Sequence, residues 1–352
     1  MIRRGKSALL GVVLGAVSLL GAGCGSSSSL AATGQSIDLI TQIQQAPYLV
    51  SHSGIRRLES HYTLDGHSDH LIYREEVVTD GLGGFAIQPL GAVSGDSLPA
   101  GDLQLIQKVR EGFHFRYRDF LVRDLAAFLQ NYQLKTLGQV VQIAGRDCLE
   151  VSIQRQDGSL SFDVAMDVET GLVLSYDEYD GSGQLYTSMV YETFDPAPSL
   201  AGVTLHQPDN QEQTLDLEAS AQSQVGFQPY IPKLPQGSGL FFLDASRVTD
   251  LHGNVWVKLT YTDGVETVFF LDGGPRMAKV GAIGEKSTGS LASATSPSGP
   301  SVPDKVLVFH EGPLTVAWGK VMDHDLIAVG KLGRADLMGL LESALPGQGS
   351  GL

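Results

Sequence analysis

Four residues of ligand type lie close together in this chain, His61, His67, Asp69 and His70. Neutral imidazoles with a carboxylate suit zinc, but only if the fold makes them converge, and spacing alone is weak evidence. The simpler reading is a polar hairpin end, so no metal site is predicted. Asp177, Glu178, Asp180 and Glu192 are carboxylates of the kind glycosidases pair. Alternate positions on one strand normally face solvent, and nothing in the sequence marks a substrate cleft around them. Asp323-His324-Asp325 reads as a turn, and Cys148, between apolar neighbours, as an inert core residue. In Phe113-His114-Phe115-Arg116-Tyr117-Arg118, aromatic and basic residues interleave in a way that could touch a phosphate or lipid headgroup. A strand edge with a solvated face is the simpler reading and the one expected. There is no nucleophile elbow, no cysteine with an orienting histidine and no phosphate-binding glycine loop. The chain is expected to be a binding protein with no catalytic residues and no cofactor.

One residue stands apart by its context. Arg3, Arg4 and Lys6, an apolar run from Ala8 to Leu20, and Gly21-Ala22-Gly23 before Cys24 read as an export signal. The segment resembles a bacterial lipoprotein signal, which makes Cys24 the lipidation site and 1–23 the signal peptide. Gly21 stands where that pattern usually has leucine, so an ordinary signal peptide cut near Ser29-Leu30-Ala31 is the alternative. The polar stretch 24–35 suits a tether. The chain is thus expected to be exported and lipid-anchored in the periplasm. Gly25 after the cysteine favours the outer membrane of a Gram-negative cell.

Removing the three basic residues takes the formal charge from −15 to about −18, which argues against a nucleic-acid partner. At 42% hydrophobic and 18% charged, the 352 residues are globular and long enough for two domains. Ile37, Ile40 and Ile43 predict a helix after Ser36 that ends at Pro47. Period-two patterns predict strands at 54–64 and 70–79, turned at Asp65-Gly66. Helical spacing returns at Leu103, Ile106 and Val109 and again over 124–129. A meander follows over 139–144, 148–153, 160–167, 172–180 and 184–194, with Asp-Gly and Thr-Gly turns between strands. The predicted fold is α+β, a curved antiparallel sheet forming an open half-barrel on a few helices over 36–198, then a linker at 199–225. A smaller α+β domain over 226–346 has strands at 240–244, 255–262, 265–271, 306–310, 314–322 and 325–329, a low-complexity loop at 283–304, and a helix from Arg334 to Leu345.

Certain groups in this order carry a resemblance. They are Ala144-Gly145-Arg146, Asp167, Thr170-Gly171-Leu172-Val173-Leu174 and Asp180 with Gly183-Gln184-Leu185 in the first part. In the second they are Leu234-Pro235-Gln236-Gly237, Tyr261-Thr262-Asp263-Gly264-Val265 and Val329-Gly330. With these, the chain resembles the MucB/RseB family of periplasmic sigma-factor regulators, whose first domain is similar to the carriers LolA and LolB. The resemblance implies a partner, the extracytoplasmic segment of a membrane anti-sigma factor, and release when a lipid or lipoprotein acyl chain fills the half-barrel. Leu125, Phe128 and Leu129 on a covering helix and Val164, Met166 and Val173 on the sheet are candidate lining, though each also suits plain core packing. A tethered LolB-like carrier or acceptor is the alternative, and an enzyme acting on envelope polymers a more distant one.

Overall fold

The computed structural model describes residues 37–64, 67–92, 119–180, 182–205, 213–217, 221–249, 253–275, 306–311 and 314–346. The signal, Cys24 and the tether lie outside these residues. So do the helix expected around Leu103–Val109, the His114 stretch and the loop at 283–304.

Residues 37–45 form helix α1, which buries Ile40 and Ile43 and gives way to a 3-10 turn, Ala46–Tyr48, at Pro47. Two long strands follow, β1 (His52–Leu64) and β2 (His67–Thr79), in register from His52↔Thr79 to Leu64↔His67. Alternation gives them two faces. The inner one buries Arg56, Leu58 and Ser60 from β1 with Tyr73, Glu75 and Val77 from β2. The Gly/Pro-rich stretch after Gly81 adds a strand absent from the sequence expectations, β3 (Phe85–Ala92). Pro89 cannot donate to a ladder, so this strand is tolerated at the sheet edge, where the register against β2 slips between Arg74 and Glu75.

Helix α2 (Leu125–Asn131) starts at Asp124, whose carboxylate accepts from the Ala127 amide at 2.7 Å. It runs directly into β4 (Tyr132–Ile143), and the meander continues through β5 (Arg146–Arg155), β6 (Leu160–Asp167), β7 (Val173–Tyr179) and β8 (Leu185–Tyr191). The eight strands lie in the order β3-β2-β1-β8-β7-β6-β5-β4, so β3 and β4 are edges and the half-barrel is open. The β6–β7 turn shows why Arg146, Asp167, Thr170 and Gly171 occur in that order. Arg146 donates from Nε and Nη2 to the two Asp167 oxygens at 3.1 and 2.9 Å. The same carboxylate accepts from the Thr170 amide and hydroxyl, and Gly171 takes the positive φ of +78° that closes the hairpin.

The region expected as a linker carries β9 (Gln213–Thr214) and helix α3 (Ala221–Val225), before the short strand β10 (Tyr230–Ile231). Then come β11 (Phe241–Thr249), β12 (Val255–Thr262), β13 (Thr267–Pro275), β14 (Val306–Glu311), β15 (Leu314–Val321), β16 (His324–Gly330), helix α4 (Arg334–Ser343) and β17 (Leu345–Pro346). Seven of these strands make one sheet, ordered β14-β15-β16-β13-β12-β11-β9, and β10 pairs with β17. Helix α4 seals that sheet with fully buried Leu337, Leu340 and Leu341. Among the described residues, no helix is long and apolar enough to cross a membrane.

The two sheets are not independent. Val265, at the tip of the β12–β13 hairpin, belongs to the first core, packed with Phe128 and Tyr132. The tip fits because residue 264 is glycine. Its φ is +109°, and a Cβ there would lie 2.3 Å from the Phe128 amide nitrogen.

Candidate binding site

A cavity of about 890 Å³, counted with its open mouth, lies on the concave side of the first sheet. Its apolar walls come from Ile43, Pro47 and Tyr48 at the end of α1, Phe85 at the start of β3, the Phe120-Leu121 segment, and Leu172, Val173 and Met189. Charge underlies it. Arg56 donates from Nε to Glu75 Oε1 at 2.7 Å and from Nη2 to Asp119 Oδ2 at 2.9 Å, with the three side chains 4%, 0% and 13% exposed. The trio ties β1, β2 and the segment leading to α2 together around the cavity. Beside it, His52 Nε2 lies 3.1 Å from the Tyr191 hydroxyl and Nδ1 lies 3.0 Å from Thr79 Oγ1. Burial dominates and lowers the His52 pKa to about 4, so this imidazole is uncharged at physiological pH.

Of the six candidate lining residues, Val173 borders this cavity. Phe128, Val164 and Met166 are buried in the core itself, and Leu125 packs partly buried against it. Leu129 is 43% exposed, on the outer side of α2.

A second, larger concavity, about 1910 Å³ counted with its open mouth, runs where the two sheets meet, walled by Leu160, Tyr179 and Tyr186 from the first and by Pro235–Ser238, Leu240 and Leu332–Arg334 from the second. The junction beneath it is built from buried polar groups. Tyr132 donates to Asp263 Oδ2 at 2.6 Å, and Asn131 Nδ2 donates to the carbonyls of Gly239 and Asp263, both at 2.9 Å. Arg123 donates from its amide to the Gly264 carbonyl at 2.8 Å and from Nε to the Val265 carbonyl at 3.1 Å. Lys331, just after β16, reaches Glu178 Oε2 on β7 at 2.6 Å and Glu266 Oε1 at 3.2 Å. Burial pushes the Glu178 carboxyl up, Lys331 pulls it down and Glu266 pushes it up again, leaving it at about 7. Burial opposes the Lys331 charge, but the two carboxylates hold its ammonium above its ordinary range.

Residues 108–208, which span α2 and β4–β8, match the sequence profile of the MucB/RseB N-terminal domain. This segment is similar to a MucB/RseB N-terminal domain. No curated protein matches the chain. Among solved structures, MucB in the Pseudomonas aeruginosa MucA/MucB complex is similar at 15% identity and a TM-score of 0.45, over 89% of this chain and 99% of that one. MucB alone is similar at 16% identity and a TM-score of 0.46, over 89% and 98%. A LolA superfamily protein from Nitrosomonas europaea is similar at 10% identity and a TM-score of 0.19, over 47% and 94%. The matched segment contributes Asp119–Leu121, Leu172 and residues of β7 and β8 to the cavity, while the rest of the lining comes from α1 to β3, before the matched residues.

Several groups escaped sequence reasoning. Glu178 was expected in solvent, and Asp323-His324-Asp325 as a plain turn. Instead Glu178 is buried, and His324 is 6% exposed, stacked on Tyr230 and 2.8 Å from Asp272 Oδ1. A signal existed for some of these. Glu178 continues the stripe Leu174-Tyr176 at period two, and Glu75 lies between Tyr73 and Val77, so both share a face with core residues. Cys148 is fully buried, and burial leads the causes that raise its thiol pKa to about 11, as befits an unreactive core position.

Proposed function

We propose that the protein is a non-enzymatic regulator that holds the extracytoplasmic segment of a membrane anti-sigma factor in the cleft between its two sheets and releases it when an acyl chain enters the half-barrel. The observation that carries this reading is the cleft, walled by both sheets beside a segment similar to a MucB/RseB domain. An open groove walled by two sheets suits a length of polypeptide better than an enclosed pocket would. Its lining carries Asp157, Glu178, Asp180, Asp263, Glu266 and Asp336 against Arg155, Lys331 and Arg334, so a segment with basic residues is favoured. The half-barrel cavity, by contrast, is lined mostly by apolar side chains, as an acyl chain requires.

Crosslinking in intact cells followed by mass spectrometry of the membrane fraction tests the partner. A single-span protein with a cytoplasmic sigma-binding region is expected. Recovery of lipids or assorted lipoproteins alone would replace the regulator with a tethered carrier. Tyr186→Ala removes an aromatic from the cleft wall and is expected to weaken capture by about 2 kcal/mol, roughly thirtyfold. Val173→Trp fills the cavity instead. It is expected to leave capture intact and abolish release by added fatty acid, read as loss of displacement in a pull-down titration. Deleting the second sheet is a poorer test, because Val265 would be stripped from the first core.

A further inference from the structure

The hairpin of β1 and β2 presents an outer face away from the cavity, and there the register sets His61 directly opposite His70. Their rings stack with centroids 4.2 Å apart and planes 16° apart. Both Nε2 atoms point at one oxygen, Glu59 Oε1, at 2.9 Å from His61 and 2.8 Å from His70. Glu59 precedes His61 by two residues, so alternation places it on the same face. One donor atom from each of the three residues lies within 4.8 Å of the others. Of the cluster visible in the sequence, His61 and His70 therefore converge, and Glu59 joins them. The side chains of His67 and Asp69 are outside the described residues.

The geometry points to a zinc-type divalent cation site on this outer face, ligated by His61 Nε2, His70 Nε2 and a Glu59 carboxylate oxygen. Two imidazoles and one carboxylate are a donor set that zinc accepts, with the remaining position open to water or to a ligand from a partner. Tetrahedral zinc holds its nitrogen and oxygen donors about 2.0–2.2 Å away and hence about 3.3 Å from one another. The observed His–Glu separations of 2.9 and 2.8 Å need to widen by only a few tenths of an ångström. The side chains have the freedom to do so, being 37%, 48% and 18% exposed for His61, His70 and Glu59. Arg57 approaches the other carboxylate oxygen, Glu59 Oε2, at 4.0 Å, so Oε1 faces the imidazoles.

Titration of the full chain with zinc chloride, followed by calorimetry, tests the assignment. One zinc per chain is expected, and His61→Ala or His70→Ala is expected to weaken it at least about tenfold. Cobalt(II) supplies a second readout, since its visible d–d absorption reports coordination by the side chains. Glu59→Gln keeps the size and hydrogen-bonding capacity of the carboxylate but is a poor zinc ligand. It is expected to lower affinity and shift the cobalt spectrum with the circular dichroism unchanged, which separates ligation from folding. Failure of the wild-type chain to bind zinc would overturn the site and leave a hydrogen-bonded cluster. Equal binding by the His61→Ala/His70→Ala double variant and by Glu59→Gln would do the same, placing the metal elsewhere.

Discussion

Replacing Lys331 with methionine is expected to destabilise the protein by about 3–5 kcal/mol, measured as a shift in the urea-unfolding free energy. The ammonium lies between Glu178 and Glu266, with side-chain exposures of 10%, 8% and 19%. Removing it leaves two carboxylates facing each other with no cation to offset their desolvation. Adding Glu178→Gln and Glu266→Gln to Lys331→Met is expected to recover much of the loss, because a neutral triad no longer confines unpaired charge. The pH dependence has a definite sign. Folding raises the Glu178 pKa from an ordinary 4.5 to about 7, so the folded chain binds a proton that the unfolded chain does not hold between those values. The stability associated with that proton is fully present below pH 4.5 and is lost as pH rises through about 7. Urea midpoints should therefore fall from mildly acidic to neutral pH, and Glu178→Gln should flatten that part of the profile. A wild-type profile that rises over this interval, with Glu178→Gln leaving it unchanged, would show that Glu178 is not the group responsible.

Arg56→Met is expected to have a similar cost, about 3–5 kcal/mol, for a related reason in a different place. Arg56 is buried with fully buried Glu75 and joins Asp119 as well, so its loss removes a shared cation from two carboxylates under the cavity. Arg56→Lys keeps the charge but not the planar fork that serves both acids at once. It is expected to recover only part of the stability. Both variants should also loosen the Asp119–Leu121 wall and weaken binding of a fluorescent fatty acid. If Arg56→Met unfolds at the wild-type temperature, the trio contributes no net stability. If fatty-acid binding is then also unchanged, the trio does not organise the cavity.

These two charge clusters mark the boundary of what the sequence reveals. Period-two patterning and turn chemistry placed β6 and β12 with their observed ends, and helical spacing over 124–129 placed α2 to within two residues, because each such signal is local. Strand β3 was hidden because Pro89 and Gly91 are strand-breaking residues, and only its place at an edge makes them acceptable. The cavity was hidden for a different reason. Its walls unite Tyr48, Phe85, Phe120 and Val173, four places far apart along the chain, and no periodicity reports which loops meet. Core candidates such as Phe128 and Val164 were legible as apolar, but apolar character does not separate packing from lining. The Lys331 cluster needed one further fact, that the turn after β16 returns to β7 across the junction.

The seating of Val265 in the first core sets an order of events during synthesis. In a chain that emerges N-terminus first, the whole half-barrel sheet precedes the hairpin that completes its interior, so α2 waits with Phe128 and Tyr132 uncovered on one side. A first half that has emerged alone is expected to present this apolar surface to holding chaperones until the β12–β13 tip arrives. Once Gly264 has passed under α2, neither half retains a finished core without the other, and proteases meet one cooperative unit rather than two.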